Sequence, residues 1–179
     1  MAMKKILFVL MPQGFKDIEF SAPLEALKGA DHHVDVAGLE PGLATGADGL
    51  EYTPNLLLDD LTEEDFVTYD ALVIPGGPGS VDYTWHNKEL QNVVRFFHQQ
   101  GKVVAAICYG CIVLAQAGIL AGKRATVYPT DETKEIFSNN NVTFLDSGCV
   151  VLDDERIITA QGPRFVTEFS TALINALTP

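Results

Sequence analysis

The residues best suited to chemistry in this sequence lie in the segment Ala106-Ile107-Cys108-Tyr109-Gly110. An apolar run ends there in a small-x-Cys-x-small pattern, and an apolar helical stretch follows at once. This is the signature of a nucleophile elbow, whose flanking residues must be small because a strand turns sharply into a helix. Such a turn forces the cysteine into a strained backbone conformation, which is tolerated where function requires it. It also sets the sulfur at a helix N-terminus, where the dipole lowers the thiol pKa. Inert burial is the common fate of a free cysteine. A strand-terminal cysteine with small neighbours, however, is poor core filler and is expected to be well exposed.

A second apolar run, Ala71-Leu72-Val73-Ile74, leads into Pro75-Gly76-Gly77-Pro78-Gly79. Paired glycines let a backbone approach a ligand closely and aim an N–H at it. The N–H groups of Gly77 and Tyr109 could then form an oxyanion hole for an adduct at Cys108. Most Gly-Gly loops are only turns, and this one matches neither a P-loop nor a dinucleotide fingerprint. Glu19 follows the first apolar run and is placed to reach the same crevice. A glutamate in a first helical turn is ordinarily a solvated, dipole-friendly charge.

These loops need a scaffold that brings them together, and the rest of the chain supplies one. Short apolar runs alternate with amphipathic stretches throughout. Strands are expected at Lys5–Met11, Val34–Ala37, Ala71–Ile74, Val103–Ile107, Arg124–Val127, Val142–Leu145, Cys149–Leu152 and Arg156–Thr159, with another in the span Leu56–Asp60. Helices are expected over Glu19–Lys28, Lys88–Gln100, Cys111–Ala117, Asp131–Phe137 and Val166–Leu177, and a cap and first turn at Thr62-Glu63-Glu64-Asp65. Residues 41–50 read as a loop or hairpin, and Asp153-Asp154-Glu155 as the turn of a terminal hairpin. Pro23 sits awkwardly in the first helix unless the helix bends. The alternation predicts one α/β domain over 1–179, a mostly parallel sheet with helices on both faces and an antiparallel hairpin. Ligands in such folds sit beyond the carboxyl ends of the strands, which selects the loops 12–19, 75–80 and 108–111.

Composition agrees with a globular domain. The chain has 179 residues, 47% hydrophobic and 20% charged, which excludes a mainly disordered or disulfide-scaffold protein. Its 12 basic and 24 acidic residues give a net charge of −12. No basic cluster exceeds Lys4-Lys5 or Lys123-Arg124, so neither nucleic acid nor an anionic membrane surface is an expected partner. The run after Lys4-Lys5 is too short for a membrane span and meets Pro12-Gln13-Gly14 at once, so it reads as a strand rather than a signal peptide. Cys108, Cys111 and Cys149 cannot all pair, which suits a reducing cytoplasm.

Taken together, the residues resemble the ThiJ/PfpI superfamily, with its DJ-one-like and intracellular-protease-like branches. The resemblance rests on Asp17-Ile18-Glu19, on Asp70 through Gly77, and on Ala105 through Gly110. Gly118-Ile119-Leu120, Val127-Tyr128-Pro129 and Gln161-Gly162-Pro163 complete it. It implies a flavodoxin-like three-layer sandwich with Cys108 as nucleophile on the elbow. It also implies a protonated Glu19 that hydrogen-bonds the thiolate, no cofactor, and a homodimer or larger homo-oligomer. The class I glutamine amidotransferase branch shares the elbow but needs a histidine late in the chain, and none follows His98.

Protease-like members carry histidine directly after the nucleophile, where this chain has Tyr109; in several others a histidine stands at the place of Tyr128. Of the four histidines, only His86 lies near the Gly-Gly loop, as a loop residue and the one candidate to approach Cys108. A peptidase thus lacks an evident general base. The resemblance then favours small reactive carbonyls, handled as in the family's cofactor-free glyoxalases and deglycases, with Tyr109 and Tyr128 as accessory phenols. The competing reading is oxidation sensing or chaperone-like behaviour through Cys108, with Cys111 completing a C-x-x-C pair. Cys111 reads more simply as an apolar residue on the inner face of its helix. A zinc or calcium site lacks the ligand spacing.

Overall fold

The computed structural model describes residues 2–178. In chain order the elements are β1 (Lys5–Leu10), α1 (Asp17–Gly29), β2 (His33–Gly38), β3 (Ala44–Thr45), β4 (Glu51–Tyr52), β5 (Leu56–Leu57), α2 (Glu63–Val67), β6 (Ala71–Ile74), α3 (Ser80–Tyr83) and α4 (Lys88–Gln99). There follow β7 (Val103–Ile107), α5 (Cys111–Gln116), β8 (Arg124–Ala125), α6 (Asp131–Asn139), β9 (Thr143–Phe144), β10 (Cys149–Leu152), β11 (Ile157–Ala160) and α7 (Val166–Leu177). Seven strands form the central sheet in the order β10-β11-β7-β6-β1-β2-β5. Every neighbouring pair is parallel except β10 with β11. The fold is flavodoxin-like: an α/β sandwich with a small antiparallel hairpin, β3–β4, beside it.

The unbroken apolar runs of the strands follow from burial on both faces. Alternate residues point to opposite sides, so Ile6, Phe8 and Leu10 join one core while Leu7 and Val9 join the other. The first core is closed by α1 and α7 through Phe20, Leu24, Phe169 and Leu173. The second is closed by α2, α4, α5 and α6 through Phe66, Val94, Phe97, Ile112 and Phe137. The stripe expected on α4 is buried as read, and its Asn87 cap accepts from Leu90 N–H at 2.9 Å.

Several boundaries shift for local reasons. The strand expected at Arg124–Val127 pairs only as far as Ala125, because the Thr126 N–H donates to the Thr159 hydroxyl rather than to a ladder carbonyl. Leu56–Asp60 is a strand for two residues and then a 3-10 turn. The helix α1 runs through Pro23, which is buried. Proline offers no N–H to the Glu19 carbonyl one turn back, so the helical ladder is interrupted beside that residue.

What the topology does for function is set by the position of β1. From β1 the chain passes to β2 on one side, while β6 lies on the other side and leads away to β7. The crevice at such a reversal is where open α/β sheets bind ligands. The loops after β1, β6 and β7 all open into it.

Candidate active site

Cys108 follows β7 with φ of 59°, in the left-handed region that a non-glycine residue occupies at a cost of about 1–3 kcal/mol. The surrounding backbone enforces this. A Cβ on Gly110 would lie 2.6 Å from the Ile74 carbonyl oxygen, so the elbow packs against the end of β6 only because that residue has no side chain. From the other side, the Trp85 indole N–H donates to the Tyr109 carbonyl at 3.0 Å, and the two rings meet edge to face at 5.3 Å.

Glu19 sits in the first turn of α1 with no exposed surface. Its Oε2 accepts from the Gly76 N–H at 3.0 Å. Its Oε1 is buried without a hydrogen-bond partner among the described residues. Burial raises its pKa to about 7, against the lowering influence of the Cys108 thiol, the Gly76 N–H and the Lys16 charge. This is not the solvated first-turn charge that a glutamate there ordinarily is.

Gly76 brings the pair together. A Cβ there would stand 2.7 Å from the Cys108 Cβ and 2.8 Å from Glu19 Oε2, so the loop after β6 passes directly between the two side chains. The neighbouring Gly77 has φ of 125°, and its N–H has no hydrogen-bond partner among the described residues. The Tyr109 N–H acts on the Cys108 sulfur in the direction that favours its ionised form.

Two expectations about the thiol need correcting. Cys108 is only 7% exposed, not well exposed. Burial pushes its pKa well above the usual thiol value, and the Glu19 charge pushes the same way, with the Tyr109 N–H opposing. The dipole expected to acidify the thiol is weak, because the elbow starts as a single 3-10 turn and α5 has six residues. Both partners therefore resist ionisation, and the pair holds a single negative charge at most. Protonation of Glu19 removes the repulsion on the sulfur and supplies a donor for it.

The sulfur opens onto a cavity of about 310 Å³ lined by Lys16, Glu19, Gly77, Pro78, Cys108, Tyr109, Tyr128 and Pro163. A second space of about 240 Å³ adjoins it across Tyr128 and Pro163. Tyr128 is 44% exposed at the mouth and meets Tyr109 edge to face at 5.8 Å. Burial and the Cys108 charge raise the Tyr109 phenol, which makes it no base near neutrality. A larger groove of about 630 Å³, between β10 and α7, holds Cys149 but none of these residues. His86 is exposed and does not line the cavity. Cys111 is fully buried in the core opposite that of Cys108, with its thiol donating to the carbonyls of Ala106 at 3.3 Å and Ala160 at 3.6 Å. Trp85 escaped the sequence reading, since nothing local links it to a residue 24 positions later. Among the described residues no group of three or more His, Cys, Asp or Glu could hold a metal ion, and no helix could cross a membrane.

Fold and site together define a flavodoxin-like α/β protein with a cysteine elbow facing a buried glutamate. The DJ-1/PfpI family pattern matches residues 4–176, and the chain belongs to that family. It is 35% identical to a deglycase of Pyrococcus horikoshii, over 82% of this chain and 84% of the other. With the DJ-1beta protein of Drosophila melanogaster it shares 30% identity, over 98% of this chain and 90% of the other. The crystal structure of a ThiJ/PfpI domain protein from Brachyspira murdochii superposes with a TM-score of 0.88 at 25% identity, covering 99% of this chain and 98% of that one.

Proposed function

We propose that the protein is a cofactor-independent enzyme of glyoxalase or deglycase type, acting on small reactive carbonyls through Cys108 assisted by Glu19. The observation that carries this reading is the Glu19 carboxyl, buried beside a strained cysteine, with one oxygen unpartnered and a pKa near 7. A group poised there can both give and take a proton at neutral pH. The similarity to a protein named deglycase supports the same chemistry.

For an α-oxoaldehyde the steps balance as follows. The Cys108 sulfur bonds to the aldehyde carbon, its proton goes to the carbonyl oxygen, and a hemithioacetal forms. The Gly77 and Tyr109 N–H groups stabilise the oxyanion. Ionised Glu19 takes the proton from that carbon, giving an enediolate, and returns it to the adjacent carbon, while the hydroxyl proton of the first carbon passes to the oxygen of the second to leave a thioester on Cys108. Water adds to the thioester, breaks the carbon–sulfur bond and releases the 2-hydroxy acid. No oxidant is needed, because one carbon is oxidised while its neighbour is reduced.

Two other readings draw less support. No histidine lines the cavity, so a peptidase has no evident base. A Cys108–Cys111 redox pair is disfavoured by the separate cores of the two thiols. The test is product analysis of methylglyoxal incubated with wild-type protein and with Cys108→Ser. The expected result is lactate from the wild type and none above background from the variant. Equal amounts from both would refute the assignment.

A further inference from the structure

Trp85 belongs to neither the catalytic pair nor the cavity wall, yet it is 2% exposed and makes two directed contacts with the elbow. The chain that carries it starts at the Gly76-Gly77 loop, passes through the single turn of α3, and is held there by the Trp85 N–H bonding to the Ser80 carbonyl at 2.9 Å. Its own carbonyl accepts from the Gln91 side chain at 3.3 Å, which anchors it to α4. The indole then reaches across to the Tyr109 carbonyl.

The two backbone donors around the sulfur thus come from different loops, Gly77 after β6 and Tyr109 after β7. Neither loop is ruled by the other through the sheet, since β6 and β7 end before either donor. We propose that Trp85 is a positioning residue, a cross-tie from the segment after Gly77 to the elbow that fixes the Tyr109 N–H against the Cys108 sulfur. This rests on Cys108 being the reacting group, and it assigns the indole N–H a role separate from the packing of its ring. Buried indole N–H groups ordinarily need a partner, and the elbow needs outside support for its strained residue. One hydrogen bond meets both needs.

The replacement that isolates the N–H is Trp85→Phe, which keeps an aromatic ring against Tyr109 and removes the donor. The readout is the rate of Cys108 carboxamidomethylation by iodoacetamide across pH, followed by peptide mass spectrometry so that Cys149 is counted separately. Loss of an aligned donor to a thiolate is expected to slow Cys108 alkylation about five- to tenfold at neutral pH and to move its midpoint to higher pH. A packing role alone would leave rate and midpoint unchanged, and that result would overturn the proposal.

A second measurement does not depend on the variant folding. Trp85 is the only tryptophan in the chain, so wild-type fluorescence reports on it alone. Alkylation of Cys108 is expected to shift its emission, while the same treatment of Cys108→Ser, which alkylates only the remaining thiols, leaves it unmoved. Unchanged emission in the wild type after complete Cys108 alkylation would contradict the cross-tie. Failure of wild-type Cys108 to react at all would defeat both this inference and the proposed function. Reaction of Cys108 without any lactate formation would count against the dicarbonyl reading alone.

Discussion

Two carboxylates are buried at opposite ends of the same sheet, and they live under opposite rules. Asp35, near the amino end of β2, is 8% exposed and accepts from the Tyr69 hydroxyl at 2.7 Å and the Asn55 amide at 2.8 Å. His33 at 3.2 Å and Lys5 at 3.6 Å complete its shell. Burial alone would raise its pKa, but these partners outweigh it and the net shift is downward. Glu19, at the carboxyl end, has one backbone donor and an orphan oxygen, and burial wins. A fold that can satisfy one buried acid so completely leaves the other unsatisfied only beside its strained cysteine. The pole with the deficit is the one to which we assign the chemistry.

The largest effect should come from removing the titration at the deficient pole. Glu19→Gln keeps an acceptor for the Gly76 N–H but cannot exchange a proton, so kcat/KM for methylglyoxal is expected to fall about 10²- to 10⁴-fold. Stability should move the other way. A carboxyl whose folded pKa is raised contributes stability below its ordinary value that is lost as pH climbs through the folded one. Wild type should therefore lose about 3 kcal/mol between pH 4.5 and 7, and denaturant titrations of the variant should lack that decline.

Next in size is Asp35→Asn. It leaves the hydroxyl of Tyr69 and the amide of Asn55 poorly paired, which costs about 1–3 kcal/mol of stability. Because the folded pKa of Asp35 is lowered, its contribution is present above the ordinary carboxylate range and fades as pH falls through the folded value. The variant should be destabilised at neutral pH, converge on wild type in acid, and retain wild-type dicarbonyl turnover. A loss of turnover would erase the distinction between the poles.

The smallest effect belongs to Lys16, half-exposed on the cavity rim and held by Asp48 of the hairpin loop at 2.8 Å. Its charge lowers the Glu19 pKa from a distance. Lys16→Gln should shift the acidic limb of the activity profile upward by less than about half a pH unit, given solvent screening.

The comparison also shows what a sequence can carry. The elbow was legible because Gly110 has to be small where the strand turns, as the 2.6 Å approach of a Cβ there to the Ile74 carbonyl oxygen demonstrates. The strands Ala71–Ile74, Val103–Ile107 and Cys149–Leu152 were readable to the residue, since apolar runs between turn residues have few alternatives. Glu19 could be placed in its loop but not in its environment, because the Gly76 backbone that meets its buried carboxylate lies far along the chain. The low exposure of Cys108 was not legible for the same reason: the cavity wall around it takes Lys16, Glu19, Gly77, Pro78, Tyr128 and Pro163 from distant stretches of the chain. Trp85 was invisible, as its role consists of one bond across a 24-residue gap.

The claim on which all this turns is that the buried Glu19 carboxyl gains and loses its proton near neutrality. The direct measurement is infrared titration of the protonated carboxyl stretch of Glu19, isolated as the difference between wild type and Glu19→Gln. The account predicts a band from a dry, weakly bonded carboxylic acid that disappears with a midpoint close to pH 7. A midpoint in the ordinary range, about 4.3, would show an ionised carboxylate at neutral pH and contradict it.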